Sequence, residues 1–173
     1  MDHTQRFTSR VSHYVRYRPS YPPEILDVLR QECGLTPDSV IADVGSGTGL
    51  LTQFFARNGN RVFAVEPNDT MRAAGEAELQ AFPNVSSVSG RGEGTTLPDA
   101  SVDLVTAAQA FHWMNREAAK AEFQRILRPG GWVVLIWNFR KLTETAFLAD
   151  LEALIMRFGT DYRSEERRVG KEC

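Results

Sequence analysis

Residues 40–49 read VIADVGSGTG, and this stretch is the strongest indication of the class of fold. Its first half is a short apolar run of the kind that forms a buried strand, and its second half places glycines at positions 45, 47 and 49. Glycines at the end of a strand let the backbone turn tightly and approach a ligand closely. The pattern LLTQFFARNG at 50–59 predicts a helix whose first N–H groups face the turn. The stretch therefore predicts a strand–loop–helix unit that binds a ligand.

Strands and helices alternate along the rest of the chain. Four further apolar runs predict strands at 61–67, 84–90, 102–109 and 132–138, and four other segments predict helices at 22–34, 69–82, 115–127 and 144–159. Asp69 and Asn115 are the expected N-caps of two of these helices, and the segment 128–131 is the expected turn before the last strand. Such alternation is typical of an α/β protein with a doubly wound parallel sheet, whose ligand site lies at the carboxyl ends of the strands.

The composition limits the classes of function. The 173 residues fit one domain, and 42% hydrophobic with 24% charged residues is ordinary for a globular protein. A formal net charge of −2 gives no reason to expect nucleic acid as a partner, and no apolar run approaches the roughly 20 residues of a membrane span. The two cysteines and three histidines show no metal-ligand spacing. The polar N-terminus lacks the apolar core of a signal peptide, so we expect a cytoplasmic protein without a membrane partner.

Two classes of cofactor remain open for the glycine loop. The nicotinamide fingerprint is G-x-G-x-x-G, but the third glycine here, Gly49, comes one position early and Leu50 stands in its place. Asp43, two residues before Gly45, would repel a pyrophosphate and would favour a ligand that carries an ammonium and a sulfonium. Glu66, at the end of the second strand, would bind ribose hydroxyls in either class. The pattern favours a sulfonium cofactor, and an NAD(P)-dependent oxidoreductase is the alternative.

Several motifs, taken in order, resemble class I S-adenosylmethionine-dependent methyltransferases, in particular the methyltransferase type 11 group. VIADVGSGTGLLT resembles the first motif of the family, and VFAVEPNDTM resembles its acidic second-strand motif. GEGTTLPDASVDLVTAAQAFHWMN resembles the adenine loop and strand four, and RILRPGGWVVLIWN resembles the turn and strand five. The resemblance implies a Rossmann-like sheet with strand order 3-2-1-4-5, truncated before the antiparallel hairpin that completes the sheet in the family.

The resemblance also assigns cofactor contacts to named positions. S-adenosyl-L-methionine is the implied cofactor, and a small molecule is the implied methyl acceptor. Asp43 would orient the amino group of the cofactor, and Glu66 would bind its ribose. The other implied contacts are in the glycine loop, around the adenine, at the end of strand four and in the N-terminal segment: Gly45, Ser46, Gly47, Asn68, Met71, Gly92, Glu93, Gln109 and Arg18. The chain departs from the family at Arg91, where many members carry an aspartate that contacts the adenine amino group.

The turn after strand four carries the candidate catalytic group. Phe111, His112 and Trp113 lie where the transferred methyl group would point, and an imidazole can deprotonate a hydroxyl or an amine near neutral pH. His112 is therefore the candidate base, with a structural histidine in the turn as the alternative. Tyr14 and Tyr17 are further candidates on the substrate side.

The sequence predicts three segments. Residues 1–36 would form an N-terminal cap segment with the first helix, and residues 37–162 an incomplete S-adenosylmethionine-binding methyltransferase domain. The last eleven residues, RSEERRVGKEC, are also the in-frame translation of a common sequencing-adapter read, so we expect residues 163–173 to be a non-native tail. Truncation would leave the last strand as an exposed edge that self-associates. A non-catalytic fragment that binds the cofactor is a further alternative.

Overall fold

A computed structural model describes residues 19–139 and 144–158. The predictions for Tyr14, Tyr17, Arg18 and the tail 163–173 lie outside the described residues. The chain divides into two compact units, residues 1–136 and 137–173. The first unit holds the described sheet, and the helix Ala146–Phe158 belongs to the second. The predicted segment boundaries after residues 36 and 162 stay predictions.

Five parallel strands form the sheet, and their order confirms the predicted Rossmann-like fold. The strands are β1 (Val40–Val44), β2 (Arg61–Val65), β3 (Val85–Val88), β4 (Val102–Ala108) and β5 (Leu127–Ile136). Their spatial order is β3-β2-β1-β4-β5, and every neighbouring pair is parallel. The order of strands reverses at β1, where the chain crosses from β3 to β4. The crevice at such a reversal opens at the carboxyl ends of the strands.

Helices alternate with most of the strands, as predicted. In the described ranges they are α1 (Ile25–Cys33), α2 (Thr52–Arg57), α3 (Asp69–Leu79), α4 (Arg116–Ile126) and α5 (Ala146–Phe158), and a 3₁₀ turn lies at Phe111–Trp113. Asn115 caps α4 as predicted, since its side chain accepts a hydrogen bond from a first-turn N–H at 3.0 Å. The prediction of Asp69 as N-cap of α3 is wrong. Asn68 takes that position, because its backbone is extended and its side chain accepts from two first-turn N–H groups.

Apolar side chains are buried on both faces of the sheet. One core cluster contains Ala42 of β1 and Phe123 of α4. The other contains Ile41 of β1 with Leu29 of α1 and Phe55 of α2. Successive residues of a strand point to opposite faces, so α4 covers one face of the sheet while α1 and α2 cover the other. This layering is what the predicted doubly wound sheet requires.

The strand at one end of the sheet, β5, is irregular and exposed. Leu127 pairs with Val102, but the register then shifts and Trp132 pairs with Leu104. The segment 128–131, predicted as a turn, is instead an irregular part of β5 in which Gly130 adopts a φ of 81°. Three large apolar side chains of this strand are exposed: Trp132, Val133 and Leu135. Within the described residues, β5 is the exposed edge that the sequence predicts.

Candidate functional site

The loop after β1 is a tight glycine turn that is bonded to β2. Gly45, Gly47 and Gly49 have positive φ angles of 74°, 58° and 82°, which glycine adopts without strain. The N–H groups of Gly45 and Ser46 donate to the carbonyl of Val65 at 2.8 and 3.1 Å. These bonds join the loop to the carboxyl end of the strand beside β1. The loop therefore lies at the crevice where the fold places a ligand.

Neighbouring elements approach this loop too closely for larger residues. A Cβ atom on Gly45 would lie 2.5 Å from the Cβ of Ala110, and one on Gly47 would lie 3.3 Å from the Cε of Met71. On α3, a Cβ on Gly75 would lie 2.9 Å from the carbonyl oxygen of Gly47. The sequence analysis missed Gly75, although a glycine inside a helical pattern is a signal of close packing. The loop is thus held between α3 and the end of β4.

Asp43 is buried beneath the glycine loop, with 1% of its surface exposed. Its Oδ2 accepts a hydrogen bond from the hydroxyl of Thr52 at 2.6 Å, and its Oδ1 accepts one from the hydroxyl of Thr106 at 2.9 Å. The carboxylate therefore links β1, the start of α2 and β4. Burial raises the pKa of Asp43, and the hydroxyl bonds lower it by less. The sequence analysis did not identify the two threonines, because only the folded sheet brings them to this side chain.

Glu66, at the end of β2, holds the loop from the side. Its Oε2 accepts from the N–H of Gly47 at 2.9 Å, and its Oε1 accepts from the N–H of Asn68 at 2.9 Å. Burial raises the pKa of Glu66, while these two bonds and the charge of Arg72 lower it. Each carboxylate oxygen keeps a second lone pair, so the group can still accept hydrogen bonds from hydroxyls. The structure thus places Glu66 against the glycine loop, and its contact with a ribose stays a prediction.

Two predicted adenine neighbours lie at the start of α3. Asn68 and Met71 are both buried, at 3% and 4% exposure. The Oδ1 of Asn68 accepts from the N–H groups of Thr70 and Met71 at 3.0 Å each, so this side chain fixes the first turn of the helix. The Cε of Met71 lies beside Gly47. Met71 therefore supplies an apolar wall next to the loop, and Asn68 holds that wall in place.

The segment after β3 forms a tight hairpin. Arg91 and Gly94 exchange backbone hydrogen bonds at 3.1 and 3.0 Å, so Gly92 and Glu93 form its tip. Glu93 Oε1 accepts from the N–H of Asn115 at 2.6 Å. The hairpin tip, with both predicted adenine-border residues, is therefore tied to the start of α4.

Met114 lies between the glycine loop and the hairpin tip. A Cβ atom on Gly92 would lie 2.3 Å from its Sδ, and a Cβ on Gly45 would lie 3.6 Å from its Cε. The sequence analysis did not single out Met114, since a methionine before a helix carries no signal by itself. The contact shows that the regions after β1, β3 and β4 meet at one place.

The end of β4 has an unusual backbone. Gln109 is a non-glycine residue with a φ of 55°, and its N–H donates to the carbonyl of Ile136 at 2.8 Å. Residues in this left-handed region cost free energy and cluster at binding and catalytic sites. The following 3₁₀ turn brings the rings of His112 and Trp113 to a centroid separation of 4.7 Å. His112 is exposed on this turn, and its catalytic role stays a prediction.

The residues at the loop fit a cationic ligand better than a diphosphate. Asp43 and Glu66 are two buried acids, and the charge of Asp43 raises the pKa of Glu66. The segment 45–49 contains no basic residue, and in the described part of the chain no basic side chain forms an ion pair with Asp43. The hydroxyl of Thr48 in this loop is buried without a hydrogen-bond partner among the described residues. A polar ligand on the loop would account for such an atom.

Two other classes of site are not seen in the described ranges. The residues at 19–139 and 144–158 contain no group of three or more histidine, cysteine, aspartate or glutamate side chains that would hold a metal ion. In the same ranges, no helix combines the length and the apolar character that crossing a membrane requires.

Comparison with known proteins identifies the family. The model of the methyltransferase domain family matches residues 42–135. An uncharacterised methyltransferase of Mycobacterium tuberculosis is 38% identical over 166 residues, which are 94% of this chain and 63% of that protein. An uncharacterised methyltransferase of Schizosaccharomyces pombe is 35% identical over 139 residues, which are 78% of this chain and 53% of that protein.

A solved structure agrees with these relatives. It is a protein of Anabaena variabilis, provisionally described as a methyltransferase from an antibiotic biosynthesis pathway. It is 31% identical, superimposes with a TM-score of 0.64, and is matched over 84% of this chain and 57% of its own. The chain spans about half to two thirds of the length of these three proteins. The comparisons lend no support to an NAD(P)-dependent oxidoreductase, and the chain belongs to the class I S-adenosylmethionine-dependent methyltransferase family.

Proposed function

We propose that the chain binds S-adenosyl-L-methionine at the glycine loop and takes part in methyl transfer to a small-molecule acceptor. The observation that carries this proposal is the buried carboxylate of Asp43 directly beneath a loop without basic residues. A buried charge without an ionic partner is costly, and a cationic ligand above it reduces that cost. Two phosphates at the same place would increase it.

Different residues around the loop would contact different parts of the cofactor. The glycine turn and Glu66 would hold the ribose and the adjoining chain, and Met71 and the tip of the hairpin would border the adenine. Gln109 and the start of the following turn would face the methionine part. Arg18 would contribute from the N-terminal segment, as the family resemblance implies.

Methyl transfer would use position and charge rather than a protein nucleophile. When bound, S-adenosylmethionine would supply an electrophilic methyl group, whose carbon an acceptor atom would attack in line as its bond to sulfur breaks and S-adenosylhomocysteine leaves. His112 is exposed beside Trp113, immediately after β4. We propose that its neutral imidazole takes the proton that the acceptor releases. A small-molecule acceptor fits better than nucleic acid, because a chain with net charge −2 does not attract a polyanion.

Calorimetric titration of the chain tests the proposal. S-adenosylmethionine and S-adenosylhomocysteine are expected to bind with one-to-one stoichiometry, and NAD is expected not to bind. Binding of NAD alone would reverse the choice of cofactor. If the His112→Ala variant binds the cofactor with unchanged affinity but transfers no methyl group, the proposed role of His112 as the base is supported. If the wild-type chain binds the cofactor and transfers no methyl group, the chain is the non-catalytic cofactor-binding fragment.

A further inference from the structure

The hairpin and loop that follow β3 are held by two residues of α4 that the predicted site does not include. Thr95 lies behind the hairpin tip and is fully buried. Its N–H and its hydroxyl both donate to the Oε1 of Glu122, at 2.7 and 2.6 Å. Arg125, one turn along α4, donates from Nε to the Oε2 of Glu122 at 2.8 Å. A carboxylate that accepts two bonds from a loop and an Arg fork from its own helix forms a rigid anchor.

Arg125 also binds the loop directly. Its Nη2 donates to the carbonyl of Leu97 at 2.8 Å, and its Nη1 forms an ion pair with Asp99. The backbone carbonyl of Arg125 accepts from the N–H of Ala100 at 2.9 Å. The guanidinium and carbonyl of one residue therefore bind three successive parts of the loop.

The backbone that this anchor holds is strained. Thr96 and Ala100 are non-glycine residues with φ angles of 64° and 45°. Such conformations are strained for residues with a side chain and persist only where surrounding contacts enforce them. Both strained residues lie within the segment 95–100 that Glu122 and Arg125 bind. Release of the anchor would therefore let the backbone relax away from its present path.

The same loop carries the adenine border of the proposed cofactor site. Its tip is tied to the start of α4 by the bond between Glu93 and the N–H of Asn115. Its base is tied to the end of α4 by Glu122 and Arg125. The two attachments are seven or more residues apart on the helix, which corresponds to roughly 10 Å. Both ends of the loop must be fixed for the tip to keep one position.

We propose that Glu122 and Arg125 are positioning residues, which set the hairpin tip at Gly92 and Glu93 in the place where it borders the adenine. The proposal rests on the proposed binding of S-adenosylmethionine. The contacts of both side chains are with the loop and with each other, so both would act through the loop. The expected effect is on recognition of the base, because the proposed function puts the methionine part of the cofactor beside β1 and β4.

Arg125→Met tests this proposal, with Arg128→Met as the matched control. Arg128 is similarly exposed and also forms an ion pair, with Asp103 at 2.9 Å, but Asp103 lies near the amino end of β4. Both variants lose one surface-accessible arginine; Arg125→Met loses the ion pairs with Asp99 and Glu122, and Arg128→Met loses the ion pair with Asp103. Isothermal titration would measure the Kd for S-adenosylhomocysteine and for S-inosylhomocysteine, which differs only at the base. Hydrogen exchange of the Thr95 amide would be followed without ligand.

Arg125→Met is expected to raise the Kd for S-adenosylhomocysteine about tenfold, to reduce the preference for adenine over hypoxanthine, and to speed exchange at Thr95. Arg128→Met is expected to leave all three within twofold. Glu122→Gln keeps an acceptor for Thr95, so it is expected to give an intermediate loss, which serves as the conservative variant if Arg125→Met unfolds.

The remaining outcomes separate failure of the positioning role from failure of the proposed function. If both arginine variants lose affinity equally, or if exchange at Thr95 rises while the Kd stays unchanged, the positioning role is overturned and the proposed function stands. If the wild-type chain binds neither homocysteine ligand, the proposed function itself is overturned, and this inference with it.

Discussion

We expect that replacement of Asp43 by asparagine raises the stability of the chain and lowers its affinity for a cation. The substitution keeps the shape of the side chain and removes a charge that is 1% exposed and bonded by the hydroxyls of Thr52 and Thr106. Either hydroxyl can donate to an amide oxygen or accept from an amide N–H. The packing and the hydrogen bonds are therefore retained, while the cost of a buried charge is removed.

The direction of the stability change follows from the pKa of Asp43, which burial raises above the ordinary value of 3.8. When a carboxyl has a higher pKa in the folded state than in the unfolded state, the free energy of unfolding falls as the pH rises from about 3.8 through the folded-state pKa, and it falls no further above that pKa. Asp43→Asn has no carboxyl at this position, so its free energy of unfolding does not fall in this way. The variant is expected to be more stable than the wild type at pH 7.5, with a higher Tm. At pH 4 the difference is expected to shrink.

The affinity is expected to change in the opposite direction. Two unit charges about 10 Å apart at an effective dielectric constant of about 20 interact by roughly 1.7 kcal/mol, which is an affinity difference of roughly tenfold to twentyfold. Asp43→Asn should weaken S-adenosylmethionine, with its sulfonium, by about that much more than S-adenosylhomocysteine, with its neutral sulfur. Differential scanning fluorimetry and titration calorimetry measure the two effects.

Asp103→Asn is the matched control for this experiment. It makes the same change near the amino end of β4, where Asp103 accepts from the N–H of Val40 at 2.7 Å and pairs with Arg128. This control is expected to lose stability and to leave the ratio of the two affinities unchanged. Equal weakening of both ligands by Asp43→Asn, or a loss of stability at pH 7.5, would refute the reasoning that a buried carboxylate selects a cationic sulfur.

Three further predictions concern the loop, the anchor and the edge strand. Gly45→Ala and Gly34→Ala both place alanine at positive φ, but of the two only Gly45 lacks space for a Cβ atom. We expect urea unfolding to show a loss in the free energy of unfolding of about 1 kcal/mol for Gly34→Ala and of about 3 kcal/mol for Gly45→Ala, and equal losses would contradict the packing argument. Arg125 lowers the pKa of Glu122 from 4.5 to about 2. Between pH 5 and pH 2, the free energy of unfolding of the wild type should therefore fall by about 2 kcal/mol more than that of Glu122→Gln, after allowance for solvent screening. Parallel pH profiles of the two proteins would show that the charge is not stabilising. The exposed strand β5 should cause the chain to self-associate, and Val133→Lys should reduce this self-association as measured by light scattering. A monodisperse wild-type monomer with a cooperative melt would show that the edge is already protected.

The fold is predictable from sequence where the patterns are local. Apolar runs followed by glycines identify β1 and the loop at Gly45, and the alternation with helical periods gives the parallel sheet. The N-cap of α3 was misplaced by one residue because Asn68 and Asp69 are both good caps and only the backbone conformation separates them. The segment 128–131 was mistaken for a turn because Gly130 permits a turn and a β-bulge equally well.

The site is only partly predictable, because its supporting contacts are far apart in sequence. Asp43 stands out beside the glycines, but the bond from Thr106 spans 63 residues and has no local pattern. Glu122 and Arg125 read as ordinary charged positions on a helix face, although their partners are 27 and 28 residues away. The first contact depends on the register of β4 against β1 and the others on the packing of α4 against the loop after β3, neither of which short-range periodicity encodes.

A crystal structure of the chain with S-adenosylhomocysteine would show whether the cofactor binds at the glycine loop. We expect the ribose hydroxyls on Glu66, the adenine between Met71 and the hairpin tip at Gly92, and the sulfur on the side of the glycine loop that lies above Asp43. A ligand bound elsewhere, or a loop whose crevice is filled by the side chain of Met114 at saturating ligand, would contradict this expectation.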